Sequence, residues 1–178
     1  MRSSLLSLLV FGAPLAAQTG NPFADLSQAA RTSFPEKQHV GVICDYTFSH
    51  QEVQLLADAL GSGRITVVDI RTRDQAAGAA EMLVRSGAEL MVLLPKDRLV
   101  RDGIATATVA GWHVERHMPM VGTHPRALEN GAAFAVGEAT GHELLVNRNL
   151  RGIIGPVTAG PKVAQAGGSA VINVVRAR

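Results

Sequence analysis

The chain has 178 residues, 47% of them hydrophobic but only 4% aromatic, with one cysteine and a formal net charge of +2. That length suits one domain with a core of Ala, Val, Leu and Ile, and leaves little room for a second. The near-neutral balance, with no Lys/Arg run interleaved with aromatics, gives no basis for nucleic-acid binding, and a lone cysteine rules out an internal disulfide.

In chain order, Met1 to Ala17 reads as an export signal: Arg2 in the n-region, an apolar stretch from Leu5 to Leu15, and Ala16-Ala17 as a small-residue cleavage site. The stretch is too short, and too broken by Gly12 and Pro14, to cross a bilayer as a helix. A soluble periplasmic protein is the expectation. Residues 18–37 read as an N-terminal arm with a short helical patch around Ala24 to Arg31, and 38–178 as the single domain.

His39-Val40-Gly41-Val42-Ile43-Cys44 is the pattern of a parallel strand covered on both faces. Cys44, at its end, is expected to be a small buried thiol. Ser49 with Glu52 three residues on spells a capping box, opening a helix whose Val53, Leu56 and Leu60 form an apolar stripe widened by Leu55 and Ala59. Arg64 to Ile70 is a second strand. Thr72 with Gln75 is a second capping box, and Gly87 a C′ stop for the helix that follows. Further strands are predicted at Glu89 to Leu94, Pro119 to Gly122, Ala132 to Val136 and Ala170 to Val175. A helix is predicted somewhere between Arg98 and Arg116 and another over Gly141 to Leu150, with a loop from Gly155 to Gly168. Strands alternating with helices imply a mainly parallel sheet with right-handed crossovers, a three-layer α/β/α sandwich. In such folds ligands bind outside the carboxyl ends of the strands, which makes Tyr46, Thr47 and Ser49 the first polar candidates.

Three stretches carry a family resemblance: GVICDYTFS followed by QEVQLLADAL, then ITVVDIRTRDQAAGAAEMLVRSGAELMVLLPKD, then MPMVGTHPRALENGAAFAVG with Gly122, Gly131 and Gly137. Together they resemble one lobe of the bilobed substrate-binding proteins of ABC importers, more narrowly the branch with tryptophan- and tyrosine-binding members. The resemblance implies a periplasmic-binding-protein-like fold, solute binding without catalysis, and no cofactor. By position it implies a cleft-facing set of Tyr46, Thr47, Ser49, Lys96, Asp97, Thr123 and His124. The chain departs from that family in having one lobe where the family has two. It also carries Thr123-His124-Pro125 where the family often has acidic residues, so no carboxylate stands there to receive an ammonium. Candidate partners are a small-molecule solute, a membrane transporter, receptor or sensor component, and a second copy forming a homodimer. The alternatives are a vestigial lobe used only for protein–protein contact and, less favoured, a small periplasmic hydrolase.

Each candidate also has a plainer explanation. Tyr46 could stack on a planar ligand or pack on its own loop, and Ser49 could contact an anion or only cap its helix. Lys96 and Asp97 could anchor a carboxylate and an amine, or be solvated loop charges. His113 and His117 stand at i, i+4 in HVERH, which is neither zincin order and lacks a third ligand, so no metal is expected. A Ser49/His124/Asp97 set is supported only by a shared strand-end rim. No nucleophile elbow, Walker loop or dinucleotide fingerprint occurs.

Overall fold

β-branched runs separated by capped helices fold here into a seven-stranded sheet sandwiched between helices. The computed structural model describes residues 20–101, 115, 118–150 and 168–177. The segment read as an export signal, the histidines of HVERH and nearly all of the 155–168 loop therefore lie outside the described residues.

The strands are β1 (His39–Cys44), β2 (Arg64–Asp69), β3 (Leu90–Leu93), β4 (Met120–Gly122), β5 (Phe134–Ala135), β6 (Leu145–Val146) and β7 (Val171–Arg176). Their spatial order is β6-β5-β4-β3-β1-β2-β7. Every pairing is parallel except β5 with β6. The helices are α1 (Ala24–Ser33), α2 (Tyr46–Leu60), α3 (Ala76–Arg85), α4 (Arg98–Arg101) and α5 (Arg126–Glu129). This is the three-layer α/β/α sandwich expected from the alternation of elements. Among the described residues no helix is long and apolar enough to cross a membrane.

Alternation along each strand sorts the side chains into two core layers. Val40, Val42 and Cys44 of β1 point with Ile65, Val67 and Leu90 toward α1 and α2. Ile43, Val68 and Met91 point the other way, toward α3 and α5. Gly41 sits where α3 presses on the central strand: a Cβ there would lie 2.9 Å from a Leu83 methyl and 3.1 Å from Ala88 Cβ. The close approach follows from how α3 ends. Gly87 takes φ 77°, its N–H bonds Val84 O, and the Ala88 N–H bonds Leu83 O, the paired bonds of a Schellman cap. The Thr72/Gln75 capping box is present, with Gln75 Oε1 accepting the Thr72 N–H at 3.2 Å, but it opens a 3₁₀ turn (Arg73–Gln75) that leads into α3.

Four expectations are corrected. The segment read as an arm is built into the core, because Phe23, Leu26, Ala29 and Ala30 of α1 and its flank are buried and Phe34 stacks on Phe134 with ring centroids 6.1 Å apart. Leu55 does not widen the buried stripe of α2 and is 38% exposed. Gly141 to Leu150 is not a helix: Gly141 (φ 66°) and His142 (φ 62°) turn the chain, β6 pairs antiparallel with β5, and a 3₁₀ turn covers Arg148–Leu150. Two successive positive φ values cannot continue a right-handed helix. The fourth correction is the Ser49/Glu52 capping box. Helix α2 starts three residues before Ser49, with Asp45 as N-cap, so both side chains are inside the helix and turn to tertiary partners.

Candidate functional site

The chain leaves β1 toward β2 on one side, then crosses back to β3 on the other. The crevice of such a sheet opens where that reversal occurs, outside the carboxyl ends of β1 and β3. Here one side chain spans it. Asp97, from the loop after β3, is buried; its Oδ2 accepts the Asp45 N–H at 2.9 Å and the Ser49 hydroxyl at 2.8 Å, and its Oδ1 accepts the Leu99 N–H at 2.9 Å. Asp69, ending β2, accepts the Tyr46 N–H at 3.0 Å. The start of α2, where an external anion would find free N–H groups, thus holds two carboxylates of the chain itself.

Arginines balance these acids. The Arg71 guanidinium bonds the Asp45 carboxylate, the Thr47 hydroxyl and, at 2.7 Å, Asp69 Oδ2. Arg98 stands 3.7 Å from Asp45 and lies over the exposed Phe48 ring, 5.3 Å from its centroid. Arg176, at the end of β7, reaches Asp69 at 3.6 Å. Glu52 is almost wholly buried. Desolvation holds its carboxyl above the usual glutamate range, opposed by Lys96 through its charge and its backbone N–H. Cys44 is buried as expected. Burial first, then the charges of Asp97, Asp69, Asp45 and Glu52, push its thiol far up and away from the reactive thiolate form.

The second half of the rim is different in kind. Between the ends of β3 and β4 lies a cleft of about 100 Å³ with an apolar floor of Leu93, Leu94, Pro95 and Ala127. Thr123, His124, Arg126 and Asn130 supply its polar lining. Gly122 lets this wall form, since a Cβ there would lie 2.5 Å from Ala127 Cβ and force α5 off the strand. His124 Nδ1 accepts the Arg126 N–H at 3.1 Å, so the neutral ring carries its proton on Nε2.

The seven residues expected at the rim therefore divide. Thr123 and His124 line the cleft. Thr47, Ser49 and Asp97 are tied into the crevice network, while the Tyr46 side chain packs against the first core layer, edge-on to His50 with centroids 6.4 Å apart. Lys96 is exposed between the two halves. Asp69, Arg71, Arg126 and Asn130 are additions. An acid ending a strand with an arginine two residues on marks the first pair in the sequence, and one helical turn of spacing after a strand end marks the second. Ser49 and Asp97 bond each other directly, leaving no room for an imidazole between them, and the only described bond of the His124 ring is to the Arg126 N–H. Among the described residues no group of three His, Cys, Asp or Glu side chains could hold a metal ion. No protein-family model and no curated protein sequence matches the chain.

Proposed function

We propose that this chain is an exported, non-enzymatic binding module, a single-lobe relative of the substrate-binding proteins of ABC importers, which takes a small organic solute between the ends of β3 and β4 and serves a membrane partner. The observation that carries this reading is the contrast between the two halves of the rim. At the β1/β3 crevice the polar groups are bonded to one another, whereas the β3/β4 cleft combines an apolar floor with polar side chains turned to an open volume. Concave, mostly apolar sites with a few convergent polar groups are where small ligands bind. A hydrolase built on the Ser49/His124/Asp97 set is disfavoured by the Ser49–Asp97 bond, which commits that serine to a buried carboxylate.

Native mass spectrometry of the mature protein, purified from its own cell envelope, tests the reading. A bound small-molecule mass that Thr123→Val reduces supports it, and a bare protein from the same preparation counts against it. A second reading, a lobe kept only for protein contact, is favoured by Phe48 (70% exposed) and Leu55, which stand two turns apart on the outer side of α2. In that case the mass is bare, and Phe48→Ser with Leu55→Ser abolishes capture of a membrane partner.

A further inference from the structure

We infer that the solute of the β3/β4 cleft is a small organic acid, held by its carboxylate on Arg126, His124 and Asn130; this rests on the solute-binding reading above. Each described polar side chain lining the cleft can donate a hydrogen bond: the Thr123 hydroxyl, the His124 Nε2–H, the Arg126 guanidinium and the Asn130 amide. Among the described residues no Asp or Glu lines it and no carboxylate pairs with Arg126. An ammonium group would face the like charge of a guanidinium that has no carboxylate partner among the described residues, an unfavourable pairing. A carboxylate meets the opposite environment. A guanidinium offers it two parallel N–H groups in matching geometry. Thr123 is only 4% exposed yet borders the cleft, so its hydroxyl meets a ligand where bulk water competes weakly.

Size is compatible with a small acid. A cavity of about 150 Å³ accommodates benzene, and this cleft measures about 100 Å³. An acid of roughly two to four carbons fits, its short chain on Leu93, Leu94, Pro95 and Ala127. The acid charge also neutralises the Arg126 guanidinium, the one fixed charge among the described lining residues.

The experiment is a titration of the ¹⁵N-labelled full chain with propionate, propionamide and propylamine, three probes of one chain length and three charges, followed by amide shifts. Propionate is expected to shift Thr123, His124 and Ala127 saturably. The amide is expected to bind at least about tenfold more weakly, as loss of charge-assisted hydrogen bonds implies, and the amine not at all. Arg126→Ala should weaken propionate by a similar factor, with Arg126→Lys intermediate. Arg126 is exposed, so neither variant threatens the fold. Equal binding of the amide or amine, or an unchanged affinity in Arg126→Ala, overturns the acid assignment and leaves solute binding standing. No shift with any probe, beside a bound mass in the native spectrum, likewise overturns the acid assignment alone. No shift and a bare mass overturn both.

Discussion

Replacing the Asp97 carboxylate with a methyl group would leave the Asp45 and Leu99 amides and the Ser49 hydroxyl without their acceptor in a buried place. Asp97→Ala should therefore cost about 3 kcal/mol of stability, the scale of buried donors left unsatisfied, and Asp97→Asn less, as urea unfolding would measure. A rim ligand residue would show the reverse, a binding defect at full stability. Glu52 makes a second prediction, from pH. Desolvation raises its folded pKa, so between the ordinary glutamate value and that raised value the folded state binds more protons than the unfolded chain. Stability then falls as pH rises through that window. Glu52→Gln, whose amide oxygen can still accept the Lys96 N–H, should become more stable relative to the parent as the pH is raised from acid to neutral. Unfolding midpoints of both proteins across that range check the sign. Thr123 and His124 were legible as residues of the strand-end rim because they directly follow a strand. Asp97 was legible in place but not in role, because its partners lie 48 and 52 residues away and only the folded sheet brings them together.

At the scale of elements, local pattern read the central strands well. β1 has the expected bounds, and β2, β3 and β4 fall within theirs, because a run buried on both faces is apolar throughout and is stopped by a polar residue or Pro. The Thr72/Gln75 box closed as written, and the Ser49/Glu52 box did not. The same spacing is met by two residues already inside a helix, and there Asp97 and the Lys96 N–H outcompete the local bond. α1 was misjudged because Leu26, Ala29 and Ala30 make only a short apolar stripe, and Phe34 at its end is held by Phe134, a partner far along the chain. The β4–α5 contact yields a prediction at this scale. Gly122→Ala should cost about 1–3 kcal/mol through overpacking against Ala127, and should displace the wall bearing His124 and Arg126. Solute binding should then fall further than in Ala127→Gly, and Gly122→Ala with Ala127→Gly should recover part of both losses, measured by thermal shift and by titration.

Over the whole molecule, the sheet order decides where chemistry can happen. The reversal at β1 would normally open a crevice, but the arginine–aspartate network fills it, and on this rim an open cleft lies one strand along, between β3 and β4. Sequence located the rim but could not tell which half of it was open. The same order has a kinetic consequence through β7, which pairs with β2 over six residues across a long stretch of chain, from Arg64 against Val171 to Asp69 against Arg176. Contacts so distant in sequence form late and slowly, since a large loop must close before they return any energy. Until then β2, with its adjacent Val67 and Val68, is itself an open edge that another nascent chain could pair with. β7 amides should accordingly exchange with solvent by a lower-energy opening than those of β1 in native-state hydrogen exchange; equal protection would mean that the two strands open as one unit. Arg176 reaches Asp69 at the far end of this late strand from an exposed position, so removing its charge should leave native stability nearly unchanged, and any effect should show as aggregation during refolding.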